Sequence, residues 1–257
     1  MKYRFLSGNA LKIIAAISMF LDHAGLLLFP TVAFFRIVGR VSMPIFAFLI
    51  AEGCRYTRDK FRHFILIAAL GAAYSAVYYF VYGYLYFSIF TTFTFSILLI
   101  YALQNFKKSV FCGDGAVLCV LNGAIFVFPV AFLYALNRVT SFGNVRFLLD
   151  YGFWGCMLPV FAALCDGKGT AKPNGGGCKH DFYLRYALFS FGLVILCLRI
   201  APILPQAYFS LIALVFLFFY NEKRGKYNLK YVFYICFLSF FKAIFYKNFT
   251  LGGVFLL

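Results

Sequence analysis

Long apolar runs recur along the whole chain, and they constrain its fold more than any other feature. We recognise nine of them, at about 11–29, 32–51, 63–82, 87–104, 116–136, 147–165, 182–200, 203–220 and 229–247. At a rise of about 1.5 Å per residue, a helix of this length crosses the hydrocarbon core of a bilayer, which is about 30 Å thick. The pattern predicts an all-α fold, a polytopic transmembrane helical bundle of about nine spans forming one domain over residues 1–257.

The composition agrees with a membrane protein and argues against other classes. Of the 257 residues, 64% are apolar and only 12% are charged, whereas about 25% of residues are charged in soluble proteins. The net charge of +16 lies in short clusters between the apolar runs. Such clusters are typical of cytoplasmic loops beside anionic lipid headgroups, so we expect membrane lipids and no nucleic acid as partners. The first run is too long, and too polar in its interior, for a secretory signal peptide.

The eight cysteines show no CxxC spacing, and most of them lie inside apolar runs. We therefore interpret them as small buried residues rather than as metal ligands or disulfide partners, and we expect no metal cofactor.

The distribution of basic residues predicts how the chain is oriented. If the N-terminus is cytoplasmic and there are nine spans, 17 of the 24 Lys and Arg residues fall on the inner side. Cytoplasmic loops carry the excess of Lys and Arg in membrane proteins. The asymmetry therefore favours a cytoplasmic N-terminus.

The first apolar run contains an acid and an imidazole side by side, Asp22 and His23. An acidic residue at the centre of a membrane helix costs about 2.5–3.5 kcal/mol on insertion scales. The short connection to the second run makes the two spans antiparallel neighbours, which places Asp22 and Arg40 at similar depths, about 10 and 12 Å from the outer end. Arg36 lies one helical turn from Arg40, on the same face. We therefore predict that Asp22 pairs with Arg40 or Arg36.

His23 points about 100° away from Asp22 around the helix, which leaves it able to face a cavity. A neutral imidazole near pH 7 can take a proton from an amine or a hydroxyl, so one hypothesis makes His23 a general base in a water-accessible hollow. The other makes it a hydrogen-bonded residue that fixes helix packing. Two roles are also possible for Arg36 and Arg40. They either form ion pairs or bind a phosphate or carboxylate group.

A basic cluster follows the second run, in the segment EGCRYTRDKFR that begins at Glu52. It contains Arg55, Arg58 and Arg62. One interpretation is a cytoplasmic anchor, and the other is an electropositive entrance that collects an anionic, phosphate-bearing donor from the cytosol. Glu52 is expected near the inner end of its span, at a depth similar to that of Lys12.

Four segments together resemble the TraX family. They are SGNALKIIA at 7–15, MFLDHAG at 19–25, FRIVGRVSMPIFAFL at 35–49 and EGCRYT at 52–57. They match the family's hallmark patterns in order: LKxIA, DHxG, RxxGRxxxPxFAF and EGxxxT. The dense part of the match covers residues 7–60.

The resemblance implies an integral membrane acetyltransferase with acetyl-coenzyme A as acyl donor. TraX proteins are associated with N-terminal acetylation of pilin subunits in conjugation systems. The family also resembles a wider group of membrane acyltransferases that use an intramembrane histidine. On that basis the DHxG histidine is His23, and the motif arginines are Arg36 and Arg40.

Two departures from the family pattern stand out. Family members commonly have YPxH in the last span, where this chain has FLSF at 237–240, and TTFTF at 91–95 replaces a stretch in which an Asn precedes FTL. The first departure removes a second acid/base or acceptor-binding group. It favours a different acceptor or an inactive copy.

The predicted function is therefore transfer of an acetyl or short acyl group from acetyl-coenzyme A to an amine or hydroxyl, such as a peptide N-terminus, a sugar or a lipid. The catalytic candidates are His23 and Asp22. The substrate-binding candidates are Arg36, Arg40, Glu52, Arg55, Arg58 and Arg62. The alternatives are a proton-coupled transporter, in which Asp22, His23 and Arg40 form a relay, and a catalytically inactive membrane partner. The predicted location is the bacterial plasma membrane.

Overall fold

The computed structural model describes residues 3–29, 31–83, 85–112, 115–138, 141–142, 145–165, 179–202 and 204–225. The chain divides into two compact units, the first formed by Met1–Phe46 with Cys197–Leu257 and the second by Ala47–Leu196. Both boundaries fall inside helices. The single domain over 1–257 stays a prediction.

Helices dominate the described residues, which confirms the all-α class. They are α1 (Gly8–Leu28), α2 (Ala33–Gly39), α3 (Ser42–Tyr56), α4 (Lys60–Tyr82), α5 (Ile89–Cys112), α6 (Ala116–Leu136), α7 (Gly152–Ala163), α8 (Lys179–Ile200), a 3-10 helix at Pro205–Ile212 and α9 (Ala213–Phe218).

Five stretches of the described residues are long and apolar enough to cross a membrane: Ala33–Tyr56, Lys60–Tyr82, Ile89–Cys112, Ala116–Leu136 and Asp181–Ile200. Helix α1 has 21 residues, which corresponds to about 31 Å.

The predicted number of about nine spans is not confirmed. The apolar run at 147–165 forms a strand and then α7, whose 12 residues extend only about 18 Å. The run at 203–220 forms the 3-10 helix and the short α9. The run at 229–247 lies outside the described residues.

In the first unit, the segment before α1 is bound to the segment after α9. The backbone N–H of Leu6 donates to the Phe219 carbonyl at 3.0 Å, and the Asn221 N–H donates to the Leu6 carbonyl at 2.9 Å. Ser7 begins α1 as its N-cap, with its hydroxyl accepting from the Ala10 N–H at 3.2 Å, which is a standard way to satisfy an unpaired N-terminal amide.

The predicted second span is one apolar stretch, but its helix is interrupted at Arg40 and Val41, between α2 and α3. Pro44 explains the interruption, because a proline cannot donate to the carbonyl four residues earlier, here that of Arg40, and its ring crowds that carbonyl. The Val41 N–H instead donates to the Val38 carbonyl at 3.2 Å, and the Ser42 hydroxyl donates to the Gly39 carbonyl at 2.7 Å.

The second unit packs α5 against α4, α6 and α7. Hydroxyl groups of α5 join it to the beginning of α7: Thr92 donates to the Asp150 carbonyl at 2.8 Å, and Ser96 donates to the Cys156 carbonyl at 2.8 Å. These two hydroxyls join helices, as is common in membrane bundles.

Three short strands form a small sheet in the second unit, in the order β1 (Leu85–Phe87), β3 (Val145–Leu149) and β2 (Ser141–Phe142). Strands β1 and β3 of this sheet are parallel. Tyr86 of β1 packs against Tyr74 and Tyr78 of α4, with ring centroids 6.1 and 4.9 Å away. Burial raises the pKa of the Tyr86 hydroxyl well above its ordinary value, because the phenolate is the form that desolvation disfavours.

Lys107 of α5 gives a first testable prediction. Its ammonium group donates to the last carbonyls of α7, at 2.9 Å to Ala163 and 2.7 Å to Leu164. The last carbonyls of a helix have no partner within the helix itself, so K107M is expected to lower the free energy of unfolding by about 1–3 kcal/mol. Thermal unfolding in detergent measures the effect. K108M, at the exposed neighbouring position, is the matched control, and an equal loss in both variants would contradict the capping role.

Candidate functional site

Helices α1 and α2 of the first unit form a close hairpin. Two glycines permit the approach: a Cβ at Gly25 of α1 would overlap the Phe35 side chain, and a Cβ at Gly39 of α2 would overlap the Asp22 side chain. Small residues at helix contacts allow membrane helices to pack closely. Both glycines belong to the motifs noted in the sequence, but their packing role was not predicted.

The hairpin joins Asp22 to Arg36. The Arg36 Nη1 atom lies 3.6 Å from the Asp22 Oδ1 atom, and the two side chains are 25% (Asp22) and 31% (Arg36) exposed. This confirms the prediction that Asp22 pairs with one of the two arginines, and the observed pair is with Arg36. The interruption after α2 places Arg40 in the turn, and Arg40 remains within electrostatic range of the Asp22 carboxylate.

His23 is buried beside this ion pair. Its side chain is 7% exposed, it is hydrogen-bonded to the Met19 backbone, and it lies within electrostatic range of Arg36. The sequence hypothesis placed the ring in an open, water-accessible hollow. The observed ring is enclosed by packing, so a substrate reaches it only if the surrounding helices move apart.

The buried face of α1 contains Leu11, Ala15, Ser18 and Gly25, at spacings of three, four and seven residues. Large apolar side chains occupy its exposed face, including Ile17 and Phe20. Residues three and four apart share one side of a helix, so α1 has one side of buried, mostly small or apolar residues and another of exposed, large apolar residues.

Glu52, in the second unit, forms an ion pair that the sequence did not predict. Its carboxylate pairs with the guanidinium of Arg185 on α8, and the side chains are only 6% (Glu52) and 3% (Arg185) exposed. Arg185 Nε also donates to the Asp181 carbonyl at 3.3 Å. The available signal was the position of Arg185 inside the apolar run at 182–200, since a charged residue in such a run requires a partner.

The remaining donor-binding candidates, Arg55, Arg58 and Arg62, also belong to the second unit. Arg58 and Arg62 are exposed, and the Arg55 guanidinium lies 5.5 Å from the centre of the Tyr56 ring. Asp59 begins α4 by accepting the Arg62 N–H at 2.9 Å. Two of these arginines are therefore available to an anionic ligand.

Within the described ranges, no group of three or more His, Cys, Asp or Glu side chains is arranged to hold a metal ion. The six cysteines in those ranges form no disulfide, and Cys178 and Cys236 lie outside them.

These features define the class of protein: an α-helical membrane protein with several candidate spans that keeps ion pairs and a histidine among its helices. The chain belongs to the TraX family, since the family described as "TraX protein" matches residues 7–246. The match confirms the family resemblance inferred from the motifs.

Among curated proteins, a similar sequence is "Uncharacterized protein RP591" of Rickettsia prowazekii (strain Madrid E), which is 48% identical over 40 residues. The aligned part covers 16% of this chain and 16% of that protein. No solved structure matches the chain.

Proposed function

We propose that the protein is an integral membrane acyltransferase that moves an acetyl or short acyl group from acetyl-coenzyme A to an amine or hydroxyl. The observation that carries the proposal is the assembly of motif residues on the α1–α2 hairpin, where Asp22 and Arg36 form an ion pair beside His23, in a chain that matches the TraX family over residues 7–246.

In this proposal His23 is the general base. A buried imidazole without a net charge can accept the proton of an attacking amine or hydroxyl. Asp22 and Arg36 act by holding α1 against α2, which keeps the α1 segment that carries His23 in a fixed position relative to α2. Arg40, which ends α2, contributes positive charge for a carboxylate or for the developing negative charge on the acyl oxygen.

The donor would be bound through its phosphate groups. Arg58 and Arg62 are exposed and Arg55 is partly exposed, and guanidinium groups bind phosphates through paired N–H donors. Glu52 has a positioning role, because its carboxylate is paired with Arg185 and holds α3 against α8.

The proposed location is the bacterial plasma membrane with a cytoplasmic N-terminus, so that the arginine cluster faces the donor in the cytosol. The acceptor is proposed as a peptide N-terminus, a sugar or a lipid that carries an amine or hydroxyl.

The test is acetyl transfer by the purified protein in detergent, with radiolabelled acetyl-coenzyme A and acceptors from each of the three classes. Loss of a general base lowers a rate by about 10²–10⁴-fold, and that fall is expected for H23Q. H180Q, a histidine change outside the hairpin, is the matched control and should retain the wild-type rate. Equal rates for H23Q and H180Q would overturn the role of His23.

Two other functions give different results with the same protein. A proton-coupled transporter would catalyse uptake into liposomes that depends on a pH gradient, without any effect of coenzyme A. An inactive membrane partner would bind neither the donor nor a transported solute. Ion pairs between membrane helices, such as Asp22–Arg36, occur in transporters, and this observation supports the liposome measurement.

A further inference from the structure

Four reactive or ionisable side chains from three helices meet in the second unit, and none of them belongs to the site above. The Tyr101 hydroxyl of α5 lies 3.0 Å from His63 Nδ1 of α4 and is hydrogen-bonded to the Cys54 thiol of α3. The Lys60 ammonium lies 5.1 Å from the centre of the Tyr101 ring. We call these residues, Cys54, Lys60, His63 and Tyr101, the thiol cluster.

Backbone geometry brings the thiol cluster together. Gly53 lies beside the His63 ring. A Cβ at this position would be 3.4 Å from His63 Nε2, an ordinary van der Waals contact. Gln104 of α5 reaches the Cys54 carbonyl at 3.5 Å. Cys54 lies near the end of α3 and Lys60 begins α4. The turn that connects these two helices contains Arg58. The thiol cluster therefore lies at the corner that carries the proposed phosphate-binding arginines.

Each member has a chemical property that thioester exchange requires. A thiol becomes a strong nucleophile when a neighbouring base takes its proton and a nearby cation favours the thiolate. In the thiol cluster the base is His63, the proton passes through the Tyr101 hydroxyl, and the cation is Lys60, which is within electrostatic range of the thiol.

We propose that Cys54 is a covalent acyl carrier that accepts the acyl group from the coenzyme A thioester before the acceptor receives it. The inference rests on the proposed acyltransferase function and adds a donor-side intermediate to it. Nothing in the resemblance to TraX proteins assigns a role to this thiol.

The exchange is balanced without any further reagent. The Cys54 proton moves to the Tyr101 oxygen while the Tyr101 proton moves to His63 Nδ1, and the thiolate attacks the thioester carbonyl. The new C–Sγ bond forms, the C–S bond to coenzyme A breaks, and the coenzyme A thiolate leaves with the proton from His63. An amine or hydroxyl of the acceptor then attacks the Cys54 thioester, releases its proton, and restores the thiol.

Burial sets a condition on this step. The Cys54 side chain is 1% exposed, so the thioester reaches its sulfur only when the packing around the thiol loosens. Acylation of Cys54 is therefore expected to need bound coenzyme A, and a short thioester that lacks the nucleotide should label it far more slowly.

The test uses the full-length protein in detergent with radiolabelled acetyl-coenzyme A and no acceptor. We expect one acetyl group per chain that neutral hydroxylamine releases, with mass spectrometry locating it on the peptide that contains Cys54. In C54A and C54S the label should be lost. In H63Q and Y101F its rate of formation should fall by about 10²-fold, the lower range for loss of proton transfer.

Two other cysteines control for unspecific chemistry. C156A removes a fully buried thiol and should leave the label unchanged. Cys112 is the exposed thiol among the six described cysteines, so uncatalysed acetylation would reach it before the buried ones. Label located on Cys112, or no hydroxylamine-sensitive label on the wild-type protein, would overturn the proposal.

Failure of this inference is distinguishable from failure of the proposed function. If C54S transfers acetyl groups to the acceptor at the wild-type rate, Cys54 is not a carrier, while the acyltransferase function stands. If the wild-type protein acetylates none of the acceptors, the proposed function fails on its own measurement. Mapping of the label on the wild-type protein does not require any variant to fold.

Discussion

Replacing Glu52 by Gln is expected to lower the free energy of unfolding by about 3–5 kcal/mol, because Arg185 is then left as an unpaired charge in a buried position. The Glu52–Arg185 pair is almost fully enclosed, with side chains 6% and 3% exposed. R185Q should have a similar effect for the reciprocal reason. The double variant E52M/R185M, which removes both charges and keeps the volume, should recover most of the loss.

Reaction of a fluorogenic maleimide with buried thiols during heating measures this stability, since Cys156 is inaccessible in the folded protein. E222Q is the matched control. Glu222 pairs with Arg4 at 3.2 Å, but these side chains are 23% and 14% exposed, and pairs that water reaches contribute about 0–1 kcal/mol. If E52Q were as stable as E222Q, the ion pair would not hold the helices of the second unit.

Replacing Gly39 by Ala is expected to disrupt the α1–α2 hairpin, because the added methyl group would overlap the Asp22 side chain. Overpacking of a close contact costs about 1–3 kcal/mol. The helices must separate to accept the methyl group, which displaces Asp22 from Arg36 and alters the position of His23. Acetyl transfer should therefore fall by at least about tenfold, a change that corresponds to 1.36 kcal/mol of activation free energy.

The matched control is G115A. Gly115 precedes α6, and nothing lies within 4 Å of a Cβ built there, so its alanine variant should keep both the melting temperature and the transfer rate. Wild-type stability and activity in G39A would contradict the close packing of the hairpin.

Much of the first unit was predictable because its determinants are local or nearly so. The charge of Asp22 inside the first run predicted a cation on an adjacent span. Ser7 in front of that run is an N-cap signal for the beginning of α1, which the predicted run from residue 11 did not use. Arg36 is that cation in the structure, and Arg40 lies in the turn where Pro44 interrupts the helix. Pro44 stands in the motif, but the apolar run predicted one continuous span over 32–51.

The second unit shows what apolar periodicity alone misses. The run at 147–165 has the composition of a span, yet its first part pairs with β1 as a strand and leaves only 12 residues for α7. Hydropathy measures the preference of a segment for an apolar environment and does not distinguish lipid from protein as the source of that environment. The hydroxyls of Thr92 and Ser96, which donate to the Asp150 and Cys156 carbonyls, became interpretable only with the helices in place.

The sequence by itself determined the class of the protein, the α-helical membrane fold and the TraX family, because these depend on runs of apolar residues and on motifs that are contiguous along the chain. Only the tertiary structure decided that Asp22 pairs with Arg36, that Glu52 pairs with Arg185, and that Cys54, His63 and Tyr101 share one cluster. The physical reason is distance along the chain: Glu52 and Arg185 are separated by 133 positions, and only the packing of one helix on another brings such charges into contact.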